Sequence, residues 1–176
     1  MTIMGEGVKR KGVQTAAVTN WAQVAVAVFV LFVGTLVYVL DRPGESVLFF
    51  STVNISGLLP SLFGRIGESL PTFSHAFAFS LLTAAWLGEG ERIGLSACLT
   101  WFGVDTACEV GQHPQISERL VQFIPGWFER LPILKQTDVY FLSGTFDVGD
   151  LISIALGAAA AYLVTVCTTS RHIHHG

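Results

Sequence analysis

The sequence predicts an all-α integral membrane protein with four transmembrane helices. Three observations carry this. Hydrophobic residues make up 51% of the chain and charged residues only 13%, about half the charged share of an ordinary soluble domain. Mean hydropathy is +0.57. Four apolar stretches, about 21–40, 70–87, 93–110 and 148–166, approach the roughly 20 residues needed to cross a bilayer.

The first stretch, Trp21 to Leu40, contains no ionisable group and has Trp21 and Tyr38 near its ends as interfacial anchors. Its apolar run is longer than that of a cleaved signal peptide. The second, Leu70 to Leu87, is preceded by Ser69 as a candidate cap, and Pro71 suits a first turn, where no backbone donor is lost. Only Gly88-Glu89-Gly90-Glu91-Arg92 separates it from the third, Ile93 to Glu109, so these two helices are expected to be antiparallel neighbours. The fourth, Val148 to Val166, repeats Gly149, Ser153, Gly157 and Ala161 at intervals of four, a small-residue seam along which another helix can approach closely.

The basic cluster Lys9, Arg10, Lys11 ahead of the first span favours a cytoplasmic N-terminus, with Arg92 and Arg171 on the same side. Arg42, Arg65, Arg119, Arg130 and Lys135 fall outside, among Asp41, Glu45, Glu68, Glu118, Glu129, Asp138 and Asp147. The expected organisation is a cytoplasmic tail over 1–18, one transmembrane domain over 19–167 and a cytoplasmic tail over 168–176. Both extracytoplasmic loops are long and only weakly polar. The first, Val47 to Phe63, reads as a segment on or in the interface. In the second, Ile116, Leu120, Phe123, Ile124, Trp127, Phe128 and Leu131 recur at helical spacing, which suits an amphipathic segment broken at Pro125-Gly126 that lies in the interface or packs on the bundle.

Several function classes are disfavoured. A net charge of −3 without a concentrated basic face does not suit a nucleic-acid partner. Cys98 and Cys108 would stand about 15 Å apart along one helix at 1.5 Å per residue, too far to bridge, and Cys167 is remote in sequence. No zinc-type spacing, HExxH pair, nucleophile elbow or glycine-rich phosphate loop occurs, so no metal or cofactor is expected. Ser74 adjoins His75, but helix neighbours point about 100° apart. Asn54-Ile55-Ser56 matches a short glycosylation acceptor. The histidines of 172–175 read as a fraying terminus rather than a metal site.

The chemistry-bearing residues are ionisable groups inside the apolar stretches: His75, Asp105, Glu109 and Asp150. A charge at mid-membrane costs roughly 2.5–3.5 kcal/mol on insertion scales, so such groups pair, line a polar cavity or serve function. Asp105, Glu109 and Gln112 are spaced i, i+4, i+7 and share one helix face. The topology puts His75, Glu109 and Asp150 at similar depth beneath the outer surface. One reading has His75 bonded to Glu109 or Asp150 solely to pin helices. The other gives the cluster perturbed proton affinities and a role in handling protons or a polar headgroup.

These residues occur within motifs that resemble the VanZ-like family of small bacterial membrane proteins. The motifs are His75-Ala76-Phe77-Ala78-Phe79 with Leu81-Leu82, Glu109-Val110-Gly111-Gln112, and Phe146-Asp147 followed by Asp150 and Gly157; together they cover roughly Leu70 to Val166. The chain differs from the family's usual pattern at Pro71-Thr72, where an Asp-Lys pair is common, at Gly144-Thr145, where an arginine is common, and at Ile154, where an asparagine is common. The resemblance implies a compact helical protein of the bacterial inner membrane, with His75, Glu109, Gln112 and Asp150 as the family's polar cluster. The expected role is non-catalytic binding of a lipid headgroup, a lipid-linked precursor or a glycopeptide near the outer leaflet. Two alternatives stand beside it: an accessory or assembly subunit of a larger respiratory or photosynthetic membrane complex, and an intramembrane hydrolase or proton-handling enzyme. Expected partners are membrane lipid and other membrane-protein subunits.

Overall fold

The computed structural model describes residues 19–41, 63–88, 90–132 and 134–173. Among these residues there is no strand. The order is α1 (Trp21–Asp41), α2 (Gly64–Leu87), α3 (Glu91–Gly111), α4 (Pro114–Val121), a 3-10 turn (Gly126–Arg130), α5 (Thr137–Ser143) and α6 (Val148–Ile173). The expected N-terminal tail, the first outer loop up to Leu62, Asn54-Ile55-Ser56 and His174-His175 lie outside the described residues.

The four long helices form an alternating up-and-down bundle in which α2 is central. It packs most extensively on α6, next on α1, and also on α3, while α3 also packs against α6. The directions follow from cross-helix contacts. Gln23 Nε2 donates to Thr168 Oγ1 at 2.7 Å and Tyr162 Oη to Glu91 Oε1 at 2.9 Å, both at the end where α1 and α3 begin and α6 finishes. Thr72 and Asp150 meet at the opposite end. α2 closes at Gly88, whose φ of 109° suits glycine and whose N–H returns to Ala84 O.

Two boundaries differ from the sequence reading. α2 begins at Gly64, so Ser69 is not its cap and Pro71 lies inside the helix. The Pro71 nitrogen has no hydrogen to donate to the Gly67 carbonyl, and the helix tolerates the missing bond because that turn is packed: Pro71 and Gly67 are both buried. α6 continues to Ile173, past the expected end at Val166. Hydroxyls in its last turns bond their own backbone, Thr165 Oγ1 to Ala161 O at 3.0 Å and Thr168 Oγ1 to Val164 O at 2.8 Å, which lets polar residues remain helical.

Among the described residues, two helices are long and apolar enough to cross a membrane, Gly67–Leu87 and Val148–Thr169. α1 contributes a shorter apolar run, Trp21–Val37. α3 carries Glu91, Arg92, Asp105 and Glu109 and is not among these spans.

The size distribution of the side chains is inverted relative to a water-soluble core. The buried set is dominated by alanine, with Ala27, Ala76, Ala78, Ala84, Ala85, Ala97, Ala158 and Ala161 inside, whereas Phe29, Phe32, Leu99, Ile152, Leu156 and Leu163 are more than half exposed. Small residues allow the backbones to approach: a Cβ on Gly157 would lie 2.6 Å from the Phe73 carbonyl oxygen, and Gly94 faces Thr165 at the α3–α6 crossing. Gly157 and buried Ala161 thus use the predicted seam against the bundle interior, with Ser153 half-buried and Gly149 beside Asp147 and Ser69.

The long connection between α3 and α6 folds into a cap. His113 Nδ1 accepts the Gln115 N–H at 3.3 Å, so a histidine starts α4 with Pro114 in its first turn. The helix ends at Val121, ahead of Pro125-Gly126. Leu120 and Phe141 reach Gly111 at the end of α3. Ile116, Phe123, Trp127 and Leu131 of the expected amphipathic segment are exposed, Phe123 at 83%. α5 was not apparent from the apolar spacing.

Candidate functional site

Three polar links tie α2, α3 and α6 together at the capped end. His75 of α2 contacts Asp105 of α3, Nδ1 to Oδ1, at 2.9 Å. Glu109 of α3 accepts the Asp147 backbone N–H at 2.7 Å, immediately before α6. Thr72 of α2 donates to Asp150 Oδ1 of α6 at 3.2 Å. At this end each of the three helices is thus tied to the other two, and the partner of His75 is Asp105, not Glu109 or Asp150.

The Glu109 link is a helix-capping device assembled from two segments. Asp147 precedes α6, its Oδ1 accepts the Gly149 N–H at 2.8 Å, and its carbonyl accepts from Asp150 and Leu151, as an N-cap residue does. In a local capping box an acid within the same helix bonds the cap residue's own N–H. Here that acid is Glu109, 38 positions earlier in the chain. Its side chain is buried, 6% exposed, with the carboxylates of Asp147 and Asp150 in electrostatic range. The N-terminus of α6 offsets part of this crowding, since unpaired N–H groups and the helix dipole favour negative charge there. Gln112 is half-buried and its side chain lies against Gly144, where a Cβ would collide with it. Glu109 and Asp150 thus join the start of α6 to its neighbours, while Gln112 packs on Gly144 at the end of α5.

His75 differs. Asp105 is almost fully enclosed, with 9% of its side chain exposed, while 47% of the His75 side chain is exposed. Contact between a carboxylate and Nδ1 places a proton on Nδ1, so in the neutral ring Nε2 is the acceptor on the far edge. Asp105 Oδ2 is buried without a hydrogen-bond partner, so His75 supplies the hydrogen bond that this carboxylate has. The imidazole is also walled by rings: Phe79 at 4.4 Å and Trp101 at 5.7 Å between centroids, with Phe79 and Trp101 4.8 Å apart. Trp101 is fixed by Nε1–H donation to Thr83 Oγ1 at 2.8 Å. The geometry can hold a hydrogen-bonding ring in one tautomer and one orientation at the surface of an apolar bundle.

Sequence reasoning did not single out Trp101, Phe79, Thr83, Thr72 or Asp147 as site residues. A signal was present. His75, Phe79 and Thr83 are four apart on α2, Trp101 and Asp105 four apart on α3, and an antiparallel hairpin brings those stripes together. Among the described residues no three His, Cys, Asp or Glu side chains are grouped as metal ligands, and Cys98, Cys108 and Cys167 are free. Beyond the bundle, a cleft of about 590 Å³ in the cap is lined by residues including Ile124, Phe128, Glu129 and Lys135; it contains none of the predicted site residues. In comparisons with known families, characterised proteins and solved structures, nothing matches this chain.

Proposed function

We propose that this chain is a four-span, VanZ-like integral membrane protein of the bacterial envelope that binds, rather than transforms, the polar part of a membrane-resident molecule at its capped, outer-leaflet end. The observation that carries the proposal is the half-exposed His75 ring, backed by enclosed Asp105 on an exterior of Phe, Leu and Ile side chains. Water-soluble monomers seldom expose such extensive apolar surface, and bundles that bury alanine and glycine while displaying large apolar residues suit lipid packing. In that surrounding, a histidine needs a hydrogen-bonding partner from the membrane side. A lipid headgroup, a lipid-linked precursor or a glycopeptide supplies one.

The test is sensitivity to envelope-directed glycopeptides in cells producing the His75→Gln or Asp105→Asn variant at normal abundance. The expected result is a change of at least severalfold for either variant, with the exposed Leu163→Ile exchange neutral. Unchanged sensitivity in both site variants counts against the proposal.

A second reading, an accessory subunit of a larger membrane complex, is favoured by one feature. Large apolar residues are exposed beyond the bundle as well, with Phe123, Trp127, Val139 and Leu142 outward on the cap. Native electrophoresis after gentle solubilisation separates the readings: a species of monomer size removes the second.

A further inference from the structure

The outward edge of His75 has a chemistry specific enough to name a ligand class. With Nδ1 directed at Asp105, the neutral ring presents only an acceptor, Nε2, and the matching group is a donor. The four carboxylates Asp105, Glu109, Asp147 and Asp150 belong to this end of the bundle, and no lysine or arginine contacts His75 among the described interactions. The described ion-pair partner of His75 is thus an acid, which offers a phosphate no counter-charge, and an uncharged hydroxyl needs none. The flanking groups are aromatic: Phe79 and Trp101 are both half-buried and their rings lie beside the imidazole. Offset contact of a further ring with such faces contributes about 0.5–1.5 kcal/mol. The same outer surface of α3 also presents Leu99 and Phe102, which suits arrival of the ligand from the hydrocarbon. Asp105 lies six residues before the end of α3, about 9 Å along the axis at 1.5 Å per residue, so the site is below the headgroup layer if the capped end marks the interface.

We infer that the His75 face binds the ring hydroxyl of a lipid-dissolved phenol or hydroquinone, which donates to Nε2 while its ring rests on Phe79 and Trp101. The inference rests on the membrane reading above and goes beyond it, naming a lipid-dissolved ring hydroxyl in place of the three ligand classes given there. Asp105 acts as a positioning residue: it holds the tautomer and the ring plane. No electron transfer is involved, and the corresponding quinone, lacking the donor, is the poorer ligand.

The experiment uses the full chain in phosphatidylcholine nanodiscs, with histidine ring nitrogens labelled by ¹⁵N and the His75 signals assigned by their loss in His75→Gln. A hydroquinone with a decyl tail, its dimethyl ether and its quinone are titrated under anaerobic conditions. The expected result is a saturable shift of Nε2 with the hydroquinone, and binding about tenfold weaker for the ether, as loss of one hydrogen bond implies. Phe79→Leu is expected to weaken hydroquinone binding without altering the Nδ1 signal. Equal responses to hydroquinone and ether, or no response, in protein that floats with the lipid overturn the inference alone. Protein that does not float with the lipid overturns the membrane reading and this site together.

Discussion

Gly157→Leu is expected to produce the largest loss of stability of any single exchange in the bundle. The α2–α6 contact is the most extensive between two helices. At its centre a Cβ on residue 157 would stand 2.6 Å from the Phe73 carbonyl oxygen and 3.2 Å from both Ala76 Cβ and the Phe77 nitrogen. Two of those three atoms are backbone, so no rotamer change relieves the collision and the helices must separate. Overpacking of this kind costs about 1–3 kcal/mol for small increments; alanine should fall in that range and leucine above it. Separation would also pull Thr72 from Asp150, a contact at the same interface. Thermal unfolding of the solubilised protein measures the loss. Leu156→Ala at the neighbouring exposed position is the control, expected within about 0.5 kcal/mol of the parent, as for ordinary surface exchanges.

The second large effect is expected at Glu109. Alanine there removes the acceptor of the Asp147 N–H and strands that donor beside a new cavity, with a cost of about 1–3 kcal/mol. Glutamine retains an amide oxygen for the same N–H and removes one of three nearby carboxylates, so it should remain within about 1 kcal/mol of the parent. Amide hydrogen exchange at Asp147 and Gly149 reports the local consequence: faster exchange in Glu109→Ala, near-parental exchange in Glu109→Gln. Equal damage by the two substitutions would show that the charge matters more than the cap.

The helices were largely legible because apolar runs and helical spacing are local properties. α1, α3 and α6 begin within two residues of where the sequence puts them, and the short Gly88 turn makes α2 and α3 neighbours as expected. The start of α2 was not legible: Ser69-Leu70-Pro71 has the composition of a helix entrance, but packing around Pro71 carries the helix back to Gly64. At the site, the i, i+4, i+7 stripe on α3 identified the acids, with Asp105 and Glu109 both buried. Their partners depend on how α2 and α6 are rotated and shifted against α3, which one strand of text does not encode. The axial match of His75 to Asp105 rather than to Glu109 is of that kind. So is the bond from Glu109 to a backbone N–H, since main-chain donors are invisible to a search for complementary side chains.

In a membrane protein the outward faces of α1, α3 and α6 meet hydrocarbon. Spin labels placed singly at Phe29, Leu99 and Leu163 in liposome-reconstituted protein, with Cys98, Cys108 and Cys167 replaced by alanine, measure this through collision with oxygen, which concentrates in lipid, and with a water-soluble nickel chelate. High oxygen and low nickel accessibility at all three positions is the predicted result. High nickel accessibility at these positions would place the faces in water and contradict the account.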